Sequence, residues 1–308
     1  MFEIILILLA LPFLLILAGL LFVFIGTAGQ RTSDEDVLKS YKPAAEIVEI
    51  AEKNTLTTKG KATFYRADPE IVEGDVFRKY CFANGVEALG CNAPKPGGGP
   101  FGGRKIFLLK IDDPKFSDHK YSAAIHEMLH SAYNRLSSDE KKRINALLET
   151  ELDKYQDDPH LTGPLEILKK RKNSNIKTIQ EELHSKFAVE YKELSPELEK
   201  YYKQYFTDRS KVVELFQKGG FNSRVRRLDQ INSELGALNP KLTAMDNQLV
   251  LLKNSGDIDK FNSLVGQYNS LVGQYNANVA ESKKVFSEVE KFYQYFNPDY
   301  KPPEEKKQ

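Results

Sequence analysis

The stretch Tyr121–Leu136, YSAAIHEMLHSAYNRL, constrains this chain more than any other. Ala123, Ala124, Ile125, Met128, Leu129, Ala132, Tyr133 and Leu136 recur three and four apart, with neither Gly nor Pro among them. That periodicity predicts a helix. On it His126 and His130 lie one turn apart on one face, with Glu127 beside them. Two imidazoles so placed can share one zinc ion, and the neighbouring carboxylate can take a proton from water at that ion. The plain alternative is a helix with two unrelated histidines. With 5 His in 308 residues, chance rarely gives the His-Glu-x-x-His spacing.

The length allows one medium domain with accessories. A net charge of +1, with acids and bases interspersed, gives no basic footprint, and no nucleic-acid partner is expected. From Ile4 to Ile25 the chain is almost unbroken apolar residues without charge, enough to span a bilayer as a helix. Pro12 is tolerable there. A cleaved signal peptide is the rival, since Gly26-Thr27-Ala28 offers small residues. The length of the apolar run and Glu3 in place of a basic start favour an uncleaved anchor over residues 1–27.

Orientation signals conflict. Arg31, Lys39 and Lys42 follow the span and nominally place the body in the cytoplasm. Cys81 and Cys91, the only cysteines, form a close pair that suits a disulfide in an oxidising compartment. The lean is to a single-pass protein of the cell membrane with an extracytoplasmic body.

After the anchor, a polar connector from about Thr32 to Gly60 leads into a short helix with Ala44, Ile47, Val48, Ile50 and Ala51 as its apolar positions. Lys61–Arg66 alternates like a strand, and Asp68–Tyr80 reads as a second short helix. Cys91–Arg104, rich in Gly and Pro, reads as a loop. Lys105–Ile111, KIFLLKI, is the best strand candidate. It is either an edge strand that could pair with an extended substrate over a metal, or a plain core strand. Ser137 and Glu140 have capping-box spacing and open a helix towards Tyr155, with Ile144, Leu147, Leu148 and Leu152 inward. Asp157–Pro164 breaks it, and Ile176–Leu194 reads as helix again.

That last helix holds the candidates for a third zinc ligand: Glu181, Glu182, His184 and Glu190. Glu182, near Ile179, Leu183 and Val189, sits at the border of the apolar face, where a metal would compensate its burial. Glu181 lies on a wetter face. Glu182 is preferred and His184 is next, either as ligand or as a hydrogen-bond donor to a developing oxyanion. A solvated helix carboxylate is the plain reading of Glu182.

AAIHEMLHSAYNRL followed by EELHSKFAVE, LSPELEKYYKQYF and Thr-Asp-Arg resembles a group of bacterial, membrane-anchored zincin-type metallopeptidases. The upstream VEALGC and KIFLLKI fit as well, and the resemblance covers about residues 60–215. It implies a gluzincin-like site, with zinc held by His126, His130 and Glu182 and with Glu127 as general base. There is no third histidine or Gly at metzincin spacing. The Asn-Glu-x-x-x-Asp motif of the larger gluzincins is not matched either.

Ser195-Pro196-Glu197 starts a helix towards Phe206, and Asp208–Lys218 is helical until Gly219-Gly220. Beyond it Leu228, Ile231, Leu235, Leu238, Leu242, Met245 and Leu249 recur at helical spacing, and Pro240 is expected to kink or interrupt the helix. After a turn at Asn254–Asp257 comes a perfect heptad repeat, NSLVGQY at 262–268 and again at 269–275. It places Leu264, Leu271, Tyr268 and Tyr275 along one seam, and Gly266 and Gly273 would permit close backbone approach. The region is an antiparallel hairpin or one long amphipathic helix on the catalytic domain. Tyr300–Gln308 reads as disordered.

The expected fold is mostly α, an α+β zincin-like core with a small sheet. Its parts are an anchor at 1–27, a metallopeptidase domain at 28–218, a helical hairpin or coiled coil at 219–296 and a tail at 297–308. The expected partners are a peptide or protein substrate, the lipid bilayer, and a protein partner or second copy at the hairpin. The rival readings are a tethered coiled-coil scaffold with a structural or vestigial metal site, and a sensor protease acting on one membrane partner.

Overall fold

The computed structural model describes residues 32–81, 89–97, 103–171 and 175–297. The expected anchor at 1–27, part of the loop after Cys91 and nearly all of the expected tail lie outside the described residues. Among the described residues no helix is long and apolar enough to cross a membrane. The chain falls into two compact units, Met1–Lys42 and Pro43–Gln308. In the first, helix α1 (Asp34–Ser40) replaces part of the expected connector because Ser33 caps it, its Oγ accepting from the Asp36 amide at 3.1 Å.

The second unit is mostly helical with one three-stranded sheet. Helix α2 (Ala45–Lys53) falls where expected. Helix α3 (Thr58–Arg66) corrects the strand reading of 61–66. Thr57 Oγ accepts from the Gly60 amide at 3.0 Å and starts the helix. Ala62, Thr63, Phe64 and Tyr65 are all buried, so the short alternation carried no information about period. The helix expected over 68–80 is instead strand β1 (Glu70–Val72) followed by helix α4 (Gly74–Cys81). Pro69 and the β-branched Ile71 and Val72 favour extended chain at its start.

Strand β2 (Gly90–Pro94) occupies the beginning of the expected loop, and β3 (Arg104–Leu109) is the KIFLLKI strand. The order is β1-β3-β2, with β1 parallel and β2 antiparallel to β3. β3 is therefore central, which removes it as a substrate-binding edge. The physical reason is in its composition: Ile106, Phe107, Leu108 and Leu109 are consecutively buried, so both faces are covered. A disulfide joins Cys81 at the end of α4 to Cys91 on β2, as the cysteine pair suggested.

Helix α5 (His119–Asn134) is the motif helix. It buries Ala124, Ile125, Met128, Leu129, Ala132 and Tyr133, and packs against β2, β3, α2 and α3. His119 anchors its start. The buried ring spans two backbone carbonyls, with Nδ1 2.8 Å from Phe116 O and Nε2 2.7 Å from Leu109 O, and so ties β3 to α5. Helix α6 (Ser138–Lys154) opens on the predicted capping box. The break after it is short: Asp158 caps helix α7 (Pro159–Lys169), with Pro159 in its first turn and Pro164 inside it.

Helix α8 (Ile176–Glu190) lies against α5, and α9 (Pro196–Tyr202) and α10 (Arg209–Lys218) brace it. Two long helices follow, α11 (Gly220–Ser255) and α12 (Ile258–Phe296), joined at Gly256-Asp257 and packed on each other as a hairpin. Pro240 does not interrupt α11. Leu264, Tyr268, Leu271 and Tyr275 are half-buried among exposed neighbours, as a seam requires. Gly266 and Gly273 do not serve close approach: a Cβ on either would have no heavy atom within 4 Å.

The hairpin root is fused to the body. The Gly220 amide donates to Asp118 Oδ1 at 3.0 Å, and a Cβ on Gly220 would fall 1.7 Å from Lys115 O. Phe292 stacks on Phe221 at 4.2 Å, meets Phe116 at 5.0 Å and belongs to the core on the sheet.

Arg209 holds the end of α8. Its guanidinium, almost fully buried, donates to the carbonyls of Ala188 (3.1 Å), Tyr191 (2.5 Å) and Lys192 (2.7 Å) and pairs with Glu199. The first two belong to the end of α8, where a helix terminus leaves carbonyls without partners, and the third lies just past it. Arg209→Met should lower the unfolding free energy by about 3 kcal/mol or more, since it orphans those groups and Glu199 together. Arg209→Lys should recover less than half, lacking the planar fork. Denaturant titration of the variants checks both.

Candidate metal centre

Helix α5 turns its apolar side to the sheet and α3, which leaves His126, Glu127 and His130 towards α8 and a cleft. Glu182 meets them there. Its Oε2 is 3.6 Å from His126 Nε2 and 3.6 Å from His130 Nε2, and the donor atoms of all three side chains lie within 4.8 Å of one another. Three donors about 2.1 Å from one tetrahedral centre stand roughly 3.4 Å apart, so the group is sized for a metal ion. The imidazole planes are 79° apart, both directing Nε2 inward. Among the described residues this is the one cluster of its kind.

The charges suit a cation. Burial pushes the Glu182 carboxyl up, but His126 and His130 more than offset it and hold it ionised below the usual carboxylate range. Burial alone would lower His130, yet Glu181, Glu127 and Glu182 together raise it to about 9. The pocket without metal thus keeps a proton where a divalent ion would supply the charge.

Of the sequence candidates, His126, Glu127, His130 and Glu182 come together. His184 does not. It points into the core, fully buried, with Nε2 2.8 Å from the Tyr201 hydroxyl, and it packs on Tyr133 and Tyr202. Burial pushes its pKa down to about 3, so it stays neutral as a core residue and is neither ligand nor oxyanion donor. Glu190 is held by Lys186, which donates to both its oxygens at 2.8 Å.

Glu181 corrects the wet-face reading. Its Oε1 lies 3.4 Å from His130 Nδ1, and Asn134 Nδ2 donates to that oxygen at 2.6 Å. It stands where a carboxylate outer partner would orient the ring of a metal-binding histidine. Adjacent residues on a helix are 100° apart, so both Glu181 and Glu182 can straddle the line of contact with α5. Ser185 was also missed: its Oγ stands 3.3 Å from His126 Nε2 and donates to Glu182 O at 2.9 Å.

The sheet supports the motif helix from the other side. Asn92 on β2 donates to Ser131 Oγ at 2.6 Å and is itself held by Arg104. Glu127 is 8% exposed, under Gly90. A Cβ on Gly90 would lie 3.1 Å from Glu127 Cγ, so the glycine gives the carboxylate its room. No single residue signals this in the sequence.

Two measurements follow from the geometry. Because an ion must displace the His130 proton, the site's apparent affinity for a divalent cation should fall about tenfold per pH unit as pH drops from about 9, which titrations with zinc at pH 6.5 and 8.5 would show. Glu181→Gln should weaken zinc binding by roughly 10–100-fold with the fold intact, read by competition with a chromophoric chelator. No protein-family model, curated protein or solved structure matches this chain.

Proposed function

We propose that this chain is a zinc-dependent metallopeptidase of the zincin type, gluzincin-like in its ligands. The observation that carries the reading is the convergence of His126, His130 and Glu182 from two helices, with Glu127 alongside. Two imidazoles and a carboxylate suit zinc and leave a coordination position free. Bound there, zinc supplies Lewis acidity to a carbonyl and makes water nucleophilic near neutral pH.

The remaining chemistry belongs to the chain. Glu127 accepts a proton from the attacking water and returns it to the leaving amine nitrogen. Its shallow burial under Gly90 keeps it in place without removing it from the cleft. Substrate backbone is held by β2, an edge strand whose first residue, Gly90, lines the same cavity as His126 and Glu127, as does Leu89 just before it. Glu181 backs the His130 ring at Nδ1, and Ser185 sits beside His126.

The Cys81–Cys91 disulfide supports an oxidising compartment, and with the apolar stretch at 1–27 it favours a membrane-anchored protein with an extracytoplasmic body. The scaffold reading has one observation of its own: Val250, Leu251 and Ile258 at the hairpin tip are more than half exposed.

Glu127→Gln should retain zinc at native stoichiometry and lose peptide hydrolysis by a factor of about 10²–10⁴. Metal analysis beside a cleavage assay on a mixed peptide library decides it. Undiminished hydrolysis would remove Glu127 as the base.

A further inference from the structure

A cavity of about 510 Å³ opens from His126 and Glu127 and runs to the root of the hairpin. Its walls come from parts of the chain far apart in sequence. Leu89 belongs to the sheet side, Val189 to α8 and Phe216 to α10, while Phe221 and Tyr293 come from the two helices of the hairpin. Leu89, Phe221 and Tyr293 are the half-buried fringe of the core cluster that contains Phe292. They show apolar surface to the cavity, and the fully buried residues behind them hold them still.

Away from Glu127 at its mouth, the polar groups that reach the cavity already have partners. Lys186 donates to both Glu190 oxygens, with side chains only 8% and 14% exposed, and His160 Nε2 stands 3.3 Å from Asp229 Oδ2 of α11. A charged guest would lose hydration there without gaining a counter-ion, whereas an apolar one gains by leaving water.

We propose that the hairpin root forms the specificity wall of the site, and that this chamber receives a bulky apolar side chain, aliphatic or aromatic, from the residue flanking the bond to be cut. The proposal rests on the metallopeptidase reading and assigns the C-terminal helices a part in it. They shape the substrate pocket through Phe221 and Tyr293 at the hairpin's root.

Amino-acid hydroxamates test the chamber without any turnover, because the hydroxamate takes the metal and the side chain reports the pocket. With the zinc-loaded full chain, leucine and phenylalanine hydroxamates should bind at least tenfold tighter than glycine and glutamate hydroxamates by calorimetry. Tyr293→Ala should reduce the phenylalanine preference severalfold and leave acetohydroxamate, which has no side chain, unchanged. Tyr293→Asp should shift the preference towards lysine hydroxamate, an outcome that loss of packing alone would not produce.

Equal affinities across the native series would overturn the proposal even if both variants fail to fold, since that comparison needs no substitution. A preference untouched by either variant would remove the hairpin from the pocket. Expected ranking in a chain that cleaves no peptide would keep the chamber and reject the peptidase reading. Failure of every hydroxamate, acetohydroxamate included, would overturn both.

Discussion

The contact between α5 and α8 is the constraint on which the rest depends. Glu182 stands more than fifty residues along the chain from the two imidazoles, and only helix packing brings its carboxylate between their inner nitrogens. The carboxylate keeps 28% of its side-chain surface exposed, His126 and His130 beside it hold it ionised, and it joins Glu181 and Glu127 in raising the proton affinity of His130. Each partner thus favours the other's ionised form. The surrounding structure reads as support for this pairing. Arg209 ends α8 where the face carrying Glu182 ends, His119 fixes the start of α5 to β3, and Tyr202 donates to the His184 carbonyl at 2.7 Å from behind.

Much of this was legible because it is local. The period of Tyr121–Leu136 predicts the helix, and the spacing of His126 and His130 predicts a shared face; both hold to within two residues. The capping box at Ser137 and the turn at Gly256 are likewise written in a few neighbouring positions. What was not legible depends on distant chain. Residues 61–66 are enveloped by tertiary contacts, and burial on several sides erases the distinction between periods of two and 3.6. KIFLLKI showed that it was a strand but not which place it held, since strand order is set by partners elsewhere in the chain.

Helix α8 shows the same division. Glu182 at the border of the apolar face was readable. Glu181 beside His130 Nδ1 was not, because the helix it faces is known only from the fold. His184 looked equally available in sequence, yet the aromatic rings that enclose it arrive from α5 and α9. The hairpin was readable as two helices with a heptad seam. That Phe221 and Phe292 would join the sheet's own core depended on the close passage of Gly220 over Lys115.

The placing of Cys91 directly after Gly90 has a consequence for how the chain avoids mispairing. A five-residue strand is weakly specified by its ladder alone, and a slip of one residue would exchange its two faces. Here a slip would crowd a side chain against Glu127, where even a Cβ at Gly90 would stand 3.1 Å from its Cγ, and would drag the sulfur of Cys91 away from its mate on α4. The covalent link, worth roughly 2–4 kcal/mol for a loop of this kind, and the steric exclusion next to it forbid the same error from opposite directions. The smallest side chain and the only crosslink act together as a ratchet on alignment, so the strand beside Glu127 can be short and still have one registration.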